Sequence, residues 1–360
     1  MASAKLINSA PPFPDTLPVA NLLKISLSSL ISGDPASANA VLTACRTLGF
    51  FQLDLANTPI GEAMTHLVDS IFPVIHETME LPLHQKMEYT QDAPRSFIGY
   101  KALGVMKTAS GAPDNCEFWT IAEDGILGTT VPEQPMPSSL GTQRGVFKEY
   151  LAHGRAVVEY IFHALAAQLH IPHDAFTQFH DPTRKSGTII RLLQYAPGTP
   201  RHEEEEENKE EEPGLPAHTD FGSITLLANV LGGLQVLNPR GEWEWVRPEA
   251  GCLIVNMGDA MVEWTAGVLR SNMHRVVCAP GEQAGLRRVS FAMLVRPFKE
   301  ARMERLVGGS IPSVERDREE GMEKIGVGID GMTAWEWELK KAMALKEGRD
   351  CARSHGGREL

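Results

Sequence analysis

Two side chains that could bind a metal ion lie two positions apart in the second half of the chain. His218 and Asp220 stand directly before an apolar stretch. In an extended strand this spacing places both side chains on one face, because successive side chains alternate between faces. An imidazole and a carboxylate presented together supply two thirds of the 2-His-1-carboxylate set, which binds iron(II) and leaves coordination positions open. The pair therefore predicts a metal centre, provided that the chain supplies a third ligand.

His274 is the candidate for that third ligand. It follows His218 by 56 positions and, like His218, opens an apolar stretch. A lone histidine on a strand is usually structural, but a β-rich region that closes into a jelly roll could bring both histidines to one mouth of the barrel. Histidines without ligand spacing are expected to have surface or packing roles: His66, His76, His153, His163, His170 and His173.

The composition limits the classes of protein to which the chain could belong. The 360 residues are 42% hydrophobic, enough for one large core or two modest domains, and the net charge of −12 argues against a nucleic-acid or anionic-membrane partner. Five scattered cysteines form no CxxC pair, which argues against a zinc finger or a disulfide framework. No apolar run approaches the length of a membrane span. We therefore expect a soluble, cytoplasmic protein.

An acidic run at residues 202–212 carries much of the net charge. It contains eight Glu and one Lys, and the rest of the chain has a net charge of about −5. Such a charge density cannot be buried. We interpret the run as a solvated, disordered insertion between two strands, with metal sequestration as the alternative.

The first half of the chain shows helical periodicity. The spacing of apolar residues predicts helices over residues 35–48, with Asp34 as the N-cap, over residues 61–79 and over residues 145–169. Pro73 should kink or split the second of these helices, because proline removes a backbone donor and its ring clashes with the preceding turn.

Strand patterns dominate the second half. After Gly187, short apolar runs alternate with Gly, Pro and Asn turns, which indicates a sandwich or a barrel. Further strands are expected at residues 17–23, 96–103 and 115–122, and a terminal helix is expected at residues 334–347.

Four motifs occur in an order that resembles the Fe(II)/2-oxoglutarate-dependent dioxygenase family, in its isopenicillin N synthase-like branch. They are His-x-Asp at 218–220, Asn-x-Gly-Asp at 256–259, His-Arg-Val at 274–276 and Arg-x-Ser at 288–290. Similar segments in the N-terminal region extend the resemblance to residues 17–298. His-x-Asp alone is a weak signal, whereas the four motifs in this order are specific.

The resemblance implies an α+β fold. Its core would be a double-stranded β-helix (jelly roll), with flanking N-terminal helices and a C-terminal helix near the mouth. The expected parts are an N-terminal dioxygenase region at 15–125, a jelly-roll core at 186–300 that contains the 202–212 insertion, and a C-terminal helical segment at 301–360. We expect them to pack as one compact domain.

The resemblance also implies how cofactor and cosubstrates bind. Fe(II) would be held by His218, Asp220 and His274, and no catalytic side chain is expected beyond these three ligands. In the family, 2-oxoglutarate takes two of the open iron positions and O2 takes the last. Arg288 would pair with the far carboxylate of 2-oxoglutarate, because a planar guanidinium suits bidentate pairing, while Ser290 and Tyr195 would add hydroxyl groups. Ascorbate is an optional reductant.

The implied reaction is the oxidation of a small organic molecule in secondary-metabolite biosynthesis. Decarboxylation of 2-oxoglutarate would give succinate and CO2, and the substrate would be hydroxylated, desaturated or rearranged. Residues in segments that line the family's pocket are candidate substrate contacts: Phe97, Tyr100, Phe118, Phe221 and Met293. We expect a small-molecule partner, and a monomer or weak oligomer.

Two positions depart from the family's Asn-x-Tyr-x-Pro and Tyr-Pro-Pro patterns. Leu193 replaces the asparagine, and Ala196 replaces the first proline. Neither change touches the iron ligands or the Arg-x-Ser pair, so both bear on selectivity more than on the type of reaction. Asn256 and Asp259 are expected to fix a turn, with Asp259 as its cap.

Two other functions fit the same motifs. An oxidase of the isopenicillin N synthase type would use the iron without 2-oxoglutarate, and Arg288 and Ser290 would then grip the substrate's own carboxylate. A non-catalytic small-molecule binding protein could share the fold. Succinate formation tied to turnover would exclude the first, and ligand binding that does not depend on iron would favour the second.

Overall fold

A computed structural model describes residues 4–93, 95–106, 111, 113–129, 133–198, 214–319 and 331–346. The 202–212 run lies outside these residues. The helices are α1 (Ala4–Asn8), α2 (Leu27–Ile31), α3 (Pro35–Thr47), α4 (Pro59–Met79), α5 (Leu83–Met87), α6 (Glu123–Leu127), α7 (Ser138–Gly141), α8 (Arg144–Gln168), α9 (Asp259–Trp264), α10 (Val314–Glu319) and α11 (Ala334–Lys346), with short 3-10 helices at Thr177–Phe179 and Gly281–Gly285.

Twelve strands are named within the described ranges. They are β1 (Lys24–Ser26), β2 (Phe50–Asp54), β3 (Gly99–Lys101), β4 (Cys116–Ala122), β5 (Ile189–Tyr195), β6 (Leu215–His218), β7 (Ile224–Asn229), β8 (Leu234–Leu237), β9 (Trp243–Trp245), β10 (Cys252–Met257), β11 (His274–Val276) and β12 (Arg288–Val295). The large sheet has the order β1-β2-β10-β7-β12-β5-β4-β3, and the small sheet has the order β6-β11-β8-β9. The named pairs are antiparallel except β1 with β2.

The two faces of the large sheet pack into different cores. Inner-face residues such as Phe118 and Ala292 join Val236 of the small sheet in an apolar cluster between the sheets. Outer-face residues such as Trp119 and Phe291 belong to the larger cluster that includes the helices. The period-two alternation of a strand therefore sends alternate side chains into the barrel or against the helices. This arrangement confirms the expected fold class, a double-stranded β-helix core with flanking helices.

The helices largely follow their sequence signals. Asp34 caps α3 as expected, because its carboxylate accepts hydrogen bonds from the backbone N–H groups of Ala36 (3.4 Å) and Ser37 (2.9 Å). The expectation that Pro73 could split the second helix is wrong, since α4 continues through it. Pro73 is exposed, so its ring lies on the solvent side of the helix. No helix in the described ranges is long and apolar enough to cross a membrane.

The N-terminal strand begins later than predicted. At residues 17–23 the structure has only an isolated bridge between Val19 and Trp245, and β1 starts at Lys24. The backbone pairing there depends on β9, which is distant in the sequence, so local propensity could not place it.

The C-terminal helix α11 is fastened to the barrel at several points. Trp337 is 2% exposed within the helical core. Glu338 pairs with Arg296, which directly follows β12, at an Nη1–Oε2 distance of 3.2 Å. The backbone N–H of Ala334 donates to the carbonyl oxygen of Ala301. These contacts hold α11 in a defined position beside β12.

The pH dependence of stability should include a contribution from Glu263 in α9. Burial raises the pKa of its carboxyl group to about 7, against the opposing effect of Lys341, and Oε2 has no hydrogen-bond partner. The folded state therefore holds this proton more tightly than the unfolded chain. The stabilising contribution is complete below the ordinary pKa of 4.5 and is lost as the pH rises through about 7.

We therefore expect Glu263→Gln to raise the free energy of unfolding relative to the parent at about pH 8, by on the order of 2 kcal/mol, and to change it little near pH 4.5. Chemical denaturation of both proteins across this pH range is the measurement. A difference that does not change with pH would contradict the assignment of the shifted pKa to Glu263.

Candidate metal centre

Three predicted ligands meet between the two sheets. His218 ends β6, His274 begins β11, and the two residues lie directly opposite each other in the antiparallel pair. Asp220 Oδ1 lies 3.8 Å from Nε2 of His218 and 3.9 Å from Nε2 of His274. One ligand atom from each residue lies within 4.8 Å of the others. Among the described residues, this is the only group of three or more potential ligands that comes together in this way.

Backbone hydrogen bonds leave the outer ring nitrogen of each histidine available. Nδ1 of His218 lies 2.8 Å from the carbonyl oxygen of Pro216, and Nδ1 of His274 lies 3.1 Å from that of Asn272. A ring nitrogen that donates its proton to a carbonyl leaves the lone pair on the other nitrogen. Both Nε2 atoms are therefore set up as ligands, and they face the same carboxylate.

The two carboxylate oxygens of Asp220 have different surroundings. Its Oδ2 atom accepts hydrogen bonds from Thr225 Oγ1 and Asn256 Nδ2, both at 2.7 Å, while Oδ1 faces the histidines. The two donors are register partners on β7 and β10. They fix the carboxylate plane and leave one oxygen for a metal ion. The three side chains thus fit a divalent iron ion.

The charge states also suit metal binding. Burial and the neighbouring His274 lower the pKa of His218 to about 4. Burial alone would raise the pKa of Asp220, but the two histidines and the hydrogen bonds from Asn256 and Thr225 outweigh it and bring the pKa to about 2. At neutral pH the imidazole of His218 is uncharged and Asp220 is ionised, which are the forms that bind a metal ion.

Asn256 and Asp259 do more than shape a turn. Asn256 lies within β10 and orients Asp220. The expectation that Asp259 caps the turn is wrong, because α9 has no side-chain cap bond. Instead, its carboxylate accepts hydrogen bonds from Thr219 Oγ1 (3.0 Å) and Ser271 Oγ (2.5 Å). A buried carboxylate with several donors in reach is better satisfied there than at a solvent-facing cap.

Arg288, Ser290 and Tyr195 form a second polar group on the inner face. Arg288, 3% exposed, donates from Nε to the carbonyl oxygen of Gly232 (2.7 Å) and from Nη1 to Ser290 Oγ (3.3 Å). Its guanidinium carbon lies 4.9 Å from the ring centroid of Tyr195, its register partner on β5. A cavity of about 60 Å³ opens beside Arg288 and Tyr195. A buried guanidinium at a cavity suits a carboxylate ligand.

Leu193 lies next to this polar group. It is the register partner of Ser290 and is 6% exposed. The apolar side chain thus stands where the family pattern has asparagine, and it removes a polar group from the wall beside Ser290. A larger cavity, of about 330 Å³, lies near Glu117 and Gln194 on the outer face of the sheet, away from the metal ligands.

The candidate substrate contacts separate by sheet face. Phe118 belongs to the inner cluster. Tyr100 instead packs beside Trp119 in the helical core, and Met293 lies in that core too, so close to Gly154 of α8 that a Cβ there would meet its sulfur at 2.5 Å. Both positions contradict a substrate contact inside the barrel. Successive side chains of a strand point to opposite faces, and the residue next to each of these two points inward, so Tyr100 and Met293 point outward.

The two remaining candidates are half-buried loop residues. Phe221 directly follows Asp220 and packs at the edge of the helical core. Phe97 precedes β3, and its carbonyl oxygen accepts a hydrogen bond from Gln91. Neither position excludes contact with a molecule bound near the iron ligands.

Sequence reasoning missed Arg191 on β5. It is the register partner of Thr120 and Ala292, and its guanidinium carbon lies 4.6 Å from the ring centroid of Phe118 on the inner face. Its Nε atom is buried without a hydrogen-bond partner. The signal was present in the sequence: Arg191 stands four positions before Tyr195, on the same face of an otherwise apolar strand.

The comparisons agree with this geometry. The model of the 2OG-Fe(II) oxygenase superfamily matches residues 189–297, and the model described as the non-haem dioxygenase in morphine synthesis N-terminal region matches residues 17–138. The first range contains the three candidate metal ligands and the Arg288 group. The chain belongs to the 2OG-Fe(II) oxygenase superfamily.

Individual relatives and a solved structure show which members of the superfamily this chain resembles. A 2-oxoglutarate-dependent dioxygenase of Aspergillus fumigatus is 28% identical over 350 residues, which cover 91% of this chain and 86% of the relative. Clavatol oxidase of Penicillium crustosum is 29% identical over 265 residues, which cover 66% of this chain and 74% of that oxidase. A crystal structure of a full-length Neurospora crassa protein in complex with alpha-KG and thymine has a TM-score of 0.73 at 25% identity. The structural match covers 93% of this chain and 99% of the Neurospora crassa chain.

The protein is thus a 2-oxoglutarate-dependent non-haem iron dioxygenase that uses Fe(II), 2-oxoglutarate and O2. When bound together, these supply an oxidant strong enough to remove hydrogen from an unactivated carbon. The protein binds and orients the reactants and keeps water from the reacting atoms.

Proposed function

We propose that the enzyme oxidises a small organic molecule that carries a carboxylate or a carbonyl group, by hydroxylation, desaturation or ring rearrangement, in secondary-metabolite biosynthesis. The observation that carries this proposal is Arg191, a half-buried cation on the inner face of the barrel whose buried Nε–H has no hydrogen-bond partner. The chain from 186 to 300 supplies the catalytic core, residues 15–125 and 301–360 support it, and 202–212 is an accessory insertion.

Each polar group of the interior has a role in this proposal. Iron is held by His218, Asp220 and His274. The far carboxylate of 2-oxoglutarate pairs with Arg288, with Ser290 and Tyr195 beside it. These assignments rest on the free Nε2 atoms, the free Oδ1 atom and the cavity next to the buried guanidinium.

Arg191 then remains for the substrate. Burial and the like charge of Arg296 lower the pKa of Arg191 to about 10, so it is still a cation at neutral pH. It is close enough to the metal ligands for its charge to lower the pKa of His218. Its neighbour across the strand pair, Ala292, is small, which leaves room beside the guanidinium. A cation whose buried Nε–H has no hydrogen-bond partner favours a ligand that offers acceptor oxygens.

The aromatic surroundings favour a flat molecule. Phe118 lies against the guanidinium of Arg191 on the inner face, and Phe97 and Phe221 lie in adjoining segments. The Neurospora crassa protein was solved with thymine, a flat ring with two carbonyl groups, and clavatol oxidase is named for clavatol. These names support a small, oxygen-bearing ring compound as the class of substrate.

The function is tested by measuring succinate formation with a panel of ring compounds, each paired with an analogue that lacks the carboxylate or carbonyl group. Thymine is one member of the panel. We expect acceptor-bearing compounds to stimulate succinate formation and to be recovered in oxidised form. For a stimulating compound, Arg191→Met should raise KM about 100-fold, because the hydrogen bonds of a charged group are lost.

Three measurements keep this experiment specific. Arg191→Met should leave iron and 2-oxoglutarate affinity at the parental values, and Arg191→Lys should restore part of the KM. Arg184→Met removes an exposed arginine outside the barrel and should change nothing. A parental KM in Arg191→Met, or equal stimulation by compounds with and without the acceptor, would refute the assignment of Arg191 to the substrate.

A further inference from the structure

The carboxylate of Asp259 connects three separate parts of the chain. It is 2% exposed and lies at the start of α9. Thr219 and Ser271 donate hydroxyl hydrogen bonds to it. The third partner is Lys341 of α11, whose Nζ lies 2.7 Å from Oδ2. No other described carboxylate receives donors from both ligand-bearing segments and from the C-terminal helix.

The two hydroxyl donors are next to metal ligands in the sequence. Thr219 stands between His218 and Asp220, and Ser271 stands three residues before His274. The backbone N–H of Asp259 also donates to the carbonyl oxygen of Asp220, at 2.8 Å. The position of this single carboxylate therefore influences the position of all three ligands.

The carboxylate of Asp259 can hold both segments only while its own position is fixed. Removing a carboxylate from water is costly unless a cation compensates its charge. Lys341 supplies this cation, because its side chain is only 15% exposed and lies against Asp259.

We propose that Lys341 is a positioning residue for the iron site. By pairing with Asp259, it holds the carboxylate where it accepts the hydrogen bonds of Thr219 and Ser271, so docking of α11 sets how tightly His218, Asp220 and His274 bind iron. The buried Trp337 and the Glu338–Arg296 pair also hold α11, so we expect loss of the Lys341 amine to remove the charge without releasing the helix.

The test is a titration of the metal-free protein with Co(II), which is stable in air and reports ligand geometry through its visible absorption. We expect Lys341→Met to weaken Co(II) binding about 10- to 100-fold, the range seen when a group that supports a metal ligand is lost. Lys341→Arg should recover most of the affinity and the parental spectrum. The exposed neighbour Lys340 gives the matched control, because Lys340→Met alters the same helix without touching Asp259.

A double-mutant cycle identifies the route of the effect. If Lys341 acts through Asp259, Lys341→Met should add little to the loss already caused by Asp259→Asn. Lys341→Gln keeps a donor without the charge and replaces the methionine variant if that variant does not fold. Parental Co(II) affinity in a folded Lys341 variant would overturn the proposal, even if the melting temperature fell. So would an equal loss in Lys340→Met. Neither result bears on the identity of the substrate.

Discussion

Replacement of His274 by alanine should abolish turnover and weaken Fe(II) binding by at least about 100-fold, because one of three ligands is lost and no other described histidine or carboxylate lies within reach. The measurement is anaerobic. Fe(II) and then 2-oxoglutarate are added to the metal-free protein, and the weak visible charge-transfer band of the chelate is followed. The parent should show the band, and His274→Ala should not.

The control for this result is a histidine outside the centre. His84 is exposed, and His84→Ala should retain the band at full intensity. Since His274 also packs edge-on against Phe50, with ring centroids 5.5 Å apart, the melting temperature of the metal-free His274→Ala protein must be measured as well. A folded His274→Ala protein that binds Fe(II) as tightly as the parent would disprove the role of this ligand.

Arg288 should control the affinity for 2-oxoglutarate without affecting iron. We expect Arg288→Gln to raise the concentration of 2-oxoglutarate needed for half-maximal band intensity by about 100-fold, because a charge-assisted pair with a carboxylate is lost. Arg288→Lys should lose less of the affinity for 2-oxoglutarate, because lysine keeps the positive charge but lacks the planar guanidinium group. Fe(II) affinity, measured without 2-oxoglutarate, should stay at the parental value in both variants.

The same titration separates the dioxygenase from an oxidase that works without 2-oxoglutarate. In the oxidase, addition of 2-oxoglutarate to the Fe(II)-loaded protein would produce no chelate band, and Arg288 would act on the substrate alone. An Arg288→Gln protein with parental affinity for 2-oxoglutarate would remove Arg288 from the cosubstrate site. Loss of Fe(II) binding in the same variant would show that it disturbs the barrel instead.

The sequence predicted those parts of the site that depend on local spacing or on ordered motifs. His218 and Asp220 share one face because they lie two residues apart on an extended segment. His274 could be chosen only by its place in the motif order, since its meeting with His218 depends on the pairing of β6 with β11. The helices α3 and α8 were predictable to within a residue or so from cap and period.

The errors arose where tertiary contacts determine the position of a side chain. Tyr100 and Met293 were assigned to the pocket by segment, but the face of each strand is fixed by register with its neighbours. Asp259 looked like a turn cap because its partners, Thr219, Ser271 and Lys341, are 40, 12 and 82 residues away. Arg191 escaped notice for the opposite reason, since simple alternation from Tyr195 would have placed it inside the barrel.

The hydrogen bonds of the three candidate metal ligands differ in how they can change during evolution. Both histidines donate to the backbone carbonyl two residues earlier, at Pro216 and Asn272, and no substitution of another side chain deletes a carbonyl group. Asp220 relies on the side chains of Thr225 and Asn256, each of which a single codon change can remove. The imidazole half of the site is thus buffered against mutation. Among the groups bonded directly to the three ligands, only the donors to Asp220 can be removed by substitution.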